Sequence, residues 1–150
     1  AAGMLALLAV AGGLISLWTP ALRFDPALPG LTDDPARFVM IAALALVAPS
    51  LAEELVFRGA LQPGRIDSPG ALAASALSLA AFILWHPVQA WTGWVTGQAV
   101  FLEPAFLMIA GLLGLACTIS VHRSGSLWGA AAMHWLVVVV WKAGTPAPAS

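Results

Sequence analysis

Charged residues are scarce in this sequence. They make up only 9% of its 150 residues, tyrosine is absent, and Cys117 is the single cysteine. One cysteine excludes an internal disulfide bond. The net charge is −1 and there is no run of basic residues, so the chain lacks the electrostatic surface of a nucleic-acid-binding protein. We therefore expect no nucleic-acid partner.

Apolar residues take the place of the missing charge. They form 61% of the chain, above the share of about 45–50% that is usual in a soluble domain. Several apolar runs reach or approach the roughly 20 residues that a spanning helix needs. The sequence therefore predicts an all-α, polytopic membrane helical bundle of about five transmembrane helices, with the lipid bilayer as its partner. The predicted spans are 2–18, 36–61, 71–86, 104–121 and 127–141.

We expect one domain over residues 1–150, with a disordered Pro/Ala/Gly-rich tail over 143–150. Asp34 followed by Pro35 is typical of a helix N-cap and first turn. Pro49 predicts a kink in the second span. Pro87 directly follows His86, which predicts that the third span ends at that histidine.

Three charged residues lie together in the apolar second span, within Glu53-Glu54-Leu55-Val56-Phe57-Arg58. A charge at bilayer depth costs roughly 2.5–3.5 kcal/mol on insertion scales, so these groups should pair inside the protein. Glu54 and Arg58 are four residues apart and can meet on one helix face. Glu53 points about 100° away from Glu54 and is then the carboxylate available for chemistry.

Two histidines in other spans are predicted to reach the same layer of the membrane. At about 1.5 Å rise per residue, Glu53 lies roughly 16 Å, His86 roughly 24 Å and His134 roughly 13 Å from the face with the 63–70 and 122–125 turns. A carboxylate and an imidazole can share one water as a general base, and a second histidine can donate to an oxyanion. Alternatively, Glu53, His86 and His134 could bind zinc, although no HExxH string is present.

The order of these motifs resembles the CPBP family of CAAX proteases and bacteriocin-processing enzymes, also called Abi. That family is marked by EExxxR, FxxxH and HxxxN on successive membrane helices. Glu53-Glu54 with Arg58 matches the first motif, and Phe82 with His86 matches the second. His134 matches the third motif only in part, because Val138 stands at the position of the asparagine. The resemblance covers residues 47–141.

The resemblance implies a glutamate-dependent intramembrane endopeptidase that hydrolyses membrane-associated proteins or peptides without a cofactor. Such a protein would be a multi-pass protein of the cell membrane, here the inner membrane of a bacterium. By the same resemblance, Glu53 and His86 would activate the water, and His134 would stabilise the oxyanion. Glu54, Arg58 and Phe82 would support the site.

Three alternatives remain open. Val138 cannot donate a hydrogen bond, and loss of one oxyanion donor typically lowers the rate by about 10²–10³. The chain could therefore be a weakened protease, or a non-proteolytic immunity or scaffold protein that keeps the family fold, as in bacteriocin self-immunity. A proton or ion carrier could use the same buried glutamate and histidines.

Overall fold

The computed structural model describes residues 2–18, 22, 24–64, 66–93 and 99–145. Within them lie six helices: α1 (Ala2–Trp18), α2 (Pro29–Thr32), α3 (Pro35–Ala60), α4 (Pro69–Thr92), α5 (Pro104–Ser124) and α6 (Trp128–Ala143). A short 3₁₀ turn, Ala99–Leu102, precedes α5. No strand occurs among these residues. The predicted all-α membrane helical bundle is confirmed.

Three helices, α3, α4 and α5, are long and apolar enough to cross a membrane, while Gly3–Gly13 and α6 are shorter apolar helices. Large apolar side chains face outwards from the bundle: Val39 is 65%, Leu77 71% and Met108 61% exposed. Apolar outer surfaces of this extent suit lipid rather than water as the surrounding medium.

The helix ends follow from local sequence. Asp34 caps α3 by accepting from the Arg37 N–H at 2.9 Å, with Pro35 in the first turn, as predicted. Ser68 caps α4 in the same way, accepting from the Ala71 N–H at 3.1 Å. Gly125 ends α5 in a left-handed conformation with φ of 67°, which glycine adopts without strain.

Two of the predicted boundaries differ from the structure. The third span does not end at His86, because α4 continues through Pro87 to Thr92. A proline removes one backbone donor, and membrane helices tolerate this where side chains and neighbouring helices satisfy the freed groups. The tail is ordered at its start, since Ala143 is buried in α6 and the carbonyl of Gly144 accepts from the Asp25 N–H. Residues 146–150 lie outside the described residues.

Helix α5 is central to the bundle and packs against α1, α4 and α6. One apolar core cluster joins α1, α5 and α6 around Cys117, and a second joins α3, α4 and α5 around Phe82. Helix α3 bends at Ala48, whose φ of −136° and ψ of 118° are not helical, next to Pro49 as predicted. The segment Leu46–Leu51 at this bend packs against α6.

Candidate active site

The two acidic residues of α3 follow the bend and are buried. Glu54 is 0% exposed, and its Oε1 accepts from Arg58 Nη1 at 3.0 Å, so the predicted pair forms. Arg58 Nη2 donates to the carbonyl of Gly114 at 2.9 Å, and the guanidinium carbon lies 4.2 Å from the centre of the Phe82 ring. The ion pair therefore attaches α3 to α4 and α5.

Gly114 is required where α5 passes this ion pair. A Cβ atom on Gly114 would lie 2.8 Å from Arg58 Nη2 and 2.9 Å from Phe82 Cδ1, too close for either neighbour. Gly114 is one of several small residues of α5, with Ala110 and Gly111. The part of Gly114 in holding the guanidinium could not be read from the sequence, because the acceptor is a backbone carbonyl.

His134 on α6 faces both carboxylates of α3. Its Nδ1 lies 3.0 Å from Glu54 Oε1, the oxygen that Arg58 also contacts, and its Nε2 lies 3.9 Å from Glu53 Oε2. A carboxylate can only accept, so Nδ1 carries the hydrogen and donates to Glu54. In the neutral imidazole, Nε2 then presents its lone pair towards Glu53.

Glu53 is held by a residue that the sequence analysis did not select. Trp85 on α4 donates its indole N–H to Glu53 Oε1 at 3.1 Å. The sequence offered a weak signal, because Trp85 lies directly before His86 and three residues after Phe82 in the FxxxH motif. A tryptophan in a membrane helix is more commonly an anchor at the interface, so this signal alone does not identify Trp85 as a residue of the site.

His86 is enclosed by aromatic rings. Its Nδ1 lies 3.0 Å from the carbonyl oxygen of Phe82, to which it donates, and the rings of Phe82, Phe101 and Phe106 each lie 5.2 Å away between centroids. Phe82 is 0% exposed and also contacts the His134 ring at 5.7 Å. Phe82 is therefore a shared contact of the two histidine rings. Among the described residues, His86 makes no hydrogen bond to either carboxylate.

Several buried polar atoms of the site have no hydrogen-bond partner among the described residues. They include Glu53 Oε2, Glu54 Oε2 and Ser50 Oγ. Buried polar groups in proteins are almost always paired, so a set of unpaired ones in one place calls for a ligand or water. Val138, one turn after His134, is half-buried and offers no polar atom.

The geometry of the site also bears on the zinc alternative. Within the described ranges, no three His, Cys, Asp or Glu side chains are grouped in a way that could hold a metal ion. The set Glu53, His86 and His134 does not fit such a site here, and zinc binding stays a prediction.

Comparison with known proteins identifies the family. Residues 35–140 match the family model described as type II CAAX prenyl endopeptidase Rce1-like. No curated protein and no solved structure gives a significant match. The matched range starts at α3 and ends within α6, so it contains all the residues described above for the candidate active site. The chain belongs to the Rce1-like family of type II CAAX prenyl endopeptidases.

Proposed function

We propose that this protein is an intramembrane endopeptidase that hydrolyses peptide bonds of membrane-associated proteins or peptides. One observation carries the proposal: Glu53 is a buried carboxylate with one oxygen fixed by Trp85, while the other has no hydrogen-bond partner among the described residues and faces His134 Nε2 at 3.9 Å. That separation is too long for a direct hydrogen bond and suits a single bridging water. The family assignment supports the same reaction class.

The reaction needs only water as co-reactant. The water oxygen attacks the peptide carbonyl carbon, the π electron pair moves to the carbonyl oxygen, and the water proton passes to Glu53. The carbon–nitrogen bond then breaks and the leaving nitrogen takes up that proton. The electron pair on the oxyanion re-forms the carbonyl, and the second proton of the water passes from the new carboxylic acid to the amine. The products are one carboxylate and one ammonium, with Glu53 returned to its starting state.

The contacts favour His134 rather than His86 as the second group on the water. The resemblance assigned that role to His86 and gave His134 the oxyanion. A neutral His134 whose Nδ1 donates to Glu54 has no hydrogen on Nε2, so it can accept from a water but cannot donate to an oxyanion. The Nε2 atom of a neutral His86, whose Nδ1 donates to the carbonyl of Phe82, carries a lone pair and can relay the proton from Glu53 to the leaving nitrogen.

A non-proteolytic immunity or scaffold protein is the second candidate. The observation that favours it is Val138, which cannot supply the hydrogen bond expected from asparagine at this position. In such a protein, the Glu54–Arg58 pair would serve only to hold α3 against α5. Under either candidate we propose a multi-pass protein of a bacterial inner membrane.

The test compares new protein N-termini in membranes from cells that produce wild type, Glu53→Gln or Glu103→Gln. The first variant removes the proposed base and preserves its volume, whereas Glu103 is exposed at the start of α5 and serves as the matched control. We expect a set of cleavage products that is present with wild type and Glu103→Gln and absent with Glu53→Gln. Identical products from all three proteins, each at equal abundance, would refute proteolysis and favour the scaffold.

A further inference from the structure

We infer that the hydroxyl of Ser50 is the oxyanion donor of this site and replaces the missing side-chain donor at Val138. The inference rests on the proposed function, because it assigns a further catalytic residue to the same hydrolysis. Ser50 lies on α3, three residues before Glu53 and four before Glu54. It therefore shares their helix face.

Most other donors of the site already have partners. Arg58 Nε has none among the described residues, but Arg58 lies eight residues after Ser50, about 12 Å further along α3 and away from the level of Val138. Arg58 Nη1 and Nη2 donate to Glu54 and to the carbonyl of Gly114, and the guanidinium lies over the Phe82 ring. The Trp85 N–H donates to Glu53, and Nδ1 of His134 donates to Glu54. An oxyanion that develops beside Glu53 needs a donor that is not engaged elsewhere.

Ser50 is such a donor. The residue is 0% exposed, and its Oγ has no hydrogen-bond partner among the described residues. A serine inside a helix commonly donates to the carbonyl four residues earlier. Here the backbone between Leu46 and Ser50 leaves the helical conformation at Ala48, so this local bond is not made. A buried hydroxyl without a partner destabilises the folded protein, and binding of the reacting oxygen would give it a function.

The directions of the helices bring Ser50 to the level of Val138. Helices α3 and α6 run antiparallel: Glu54 meets His134, and the chain that precedes α2 and α3 is bonded to the end of α6 through Asp25 and Gly144. Ser50 lies four residues before Glu54, and Val138 lies four residues after His134. Each step is about 6 Å along its helix, so the two positions lie at the same height in the bundle.

Packing between the two helices supports this placement. The segment Leu46–Leu51, which carries Ser50, packs against α6. The unpaired oxygens Glu53 Oε2 and Glu54 Oε2 follow within the next turn of α3. A hydroxyl donor next to unpaired acceptors is the arrangement that a water and a polarised carbonyl would complete.

The test measures kcat and KM in vesicles of phosphatidylethanolamine and phosphatidylglycerol. The probe is a quenched-fluorescent peptide that carries the bond whose cleavage depends most strongly on Glu53. For Ser50→Ala we expect kcat to fall about 10²–10³-fold with little change in KM, because the donor acts on the transition state. Ser75→Ala is the matched control, since Ser75 is a buried serine of α4 that donates to its own helix at Ala71.

A rescue separates a catalytic from a structural role. Adding Val138→Asn to Ser50→Ala should raise kcat at least about tenfold above that of Ser50→Ala alone, because it returns a donor to the same height. Ser50→Cys is nearly isosteric and has a weaker donor, so its kcat should lie between those of wild type and Ser50→Ala. If Ser50→Ala does not fold, the lowered kcat of Ser50→Cys tests the same role.

Three results would overturn the inference. These are a kcat for Ser50→Ala within threefold of wild type, a loss that appears only in KM, or a stable Ser50→Ala protein that Val138→Asn does not improve. In each of these cases Glu53→Gln still abolishes cleavage, so the proposed function stands without Ser50. If no cleavage depends on Glu53, both proposals fail together.

Discussion

Replacing Arg58 by methionine would leave the Glu54 carboxylate buried without its cation. Both side chains of the pair are 0% exposed, so water cannot substitute for the lost guanidinium. The change also removes the bond to the carbonyl of Gly114 and the contact with the Phe82 ring. Methionine retains an apolar stem of similar length, so the loss comes from charge and hydrogen bonding rather than from a large cavity.

The size of the effect follows from the burial of the pair. Removing one partner of a buried ion pair costs about 3–5 kcal/mol, because the other charge stays buried and uncompensated. For a chain of this length, each kcal/mol lowers the melting temperature by about 2–4 °C, so we expect Arg58→Met to lower it by about 6–20 °C. Adding Glu54→Gln to Arg58→Met should recover part of this loss, because no buried charge is then left.

Thermal unfolding in one detergent, followed by circular dichroism, measures these differences. Arg123→Met is the matched control, since Arg123 is exposed at the end of α5 and its substitution should change stability by less than about 0.5 kcal/mol. A melting temperature for Arg58→Met within 2 °C of wild type would contradict the reasoning, about 2 °C being the smallest shift that one kcal/mol gives. A double variant less stable than Arg58→Met would contradict it as well.

Three further predictions test other contacts of the site and the core. Gly114→Ala should destabilise the protein by about 1–3 kcal/mol through overpacking, whereas Gly12→Ala, with open space around it, should not; thermal unfolding of both variants decides this. Trp85→Phe removes the donor to Glu53 and should lower kcat for the Glu53-dependent bond at least about tenfold, whereas an unchanged kcat would show that the bond is dispensable. Cys117, 0% exposed, should react with N-ethylmaleimide only after unfolding, and rapid labelling of the folded protein, followed by mass spectrometry, would contradict the core packing.

The sequence predicts those features that follow from helical spacing. Glu54 and Arg58 meet because an acid and a base four residues apart lie on one face of a helix. The estimated heights of Glu53 and His134 differ by roughly 3 Å at 1.5 Å per residue, and the structure brings their side chains within 3.9 Å. Counting residues from two turns on the same face was sufficient to predict that the two residues lie at a similar level in the bundle.

Lateral relations between helices could not be predicted in the same way. Height alone did not show that His134 would contact Glu53 while His86 would face a cage of aromatic rings. The partner of Arg58 on α5 is a backbone carbonyl, which leaves no mark in the sequence beyond a glycine. Ser50 escaped notice because one serine before a motif is unremarkable until its burial is known.

The oxygen Oε1 of Glu54 accepts from both Arg58 on α3 and His134 on α6, and Arg58 in turn reaches α5. The imidazole is therefore oriented only when these three helices have docked. During biogenesis, a chain whose spans have entered the bilayer separately has its glutamates and histidines but not their arrangement. For a peptidase, competence would then arise at the last step of assembly, and neighbouring membrane proteins would be spared until that step is complete.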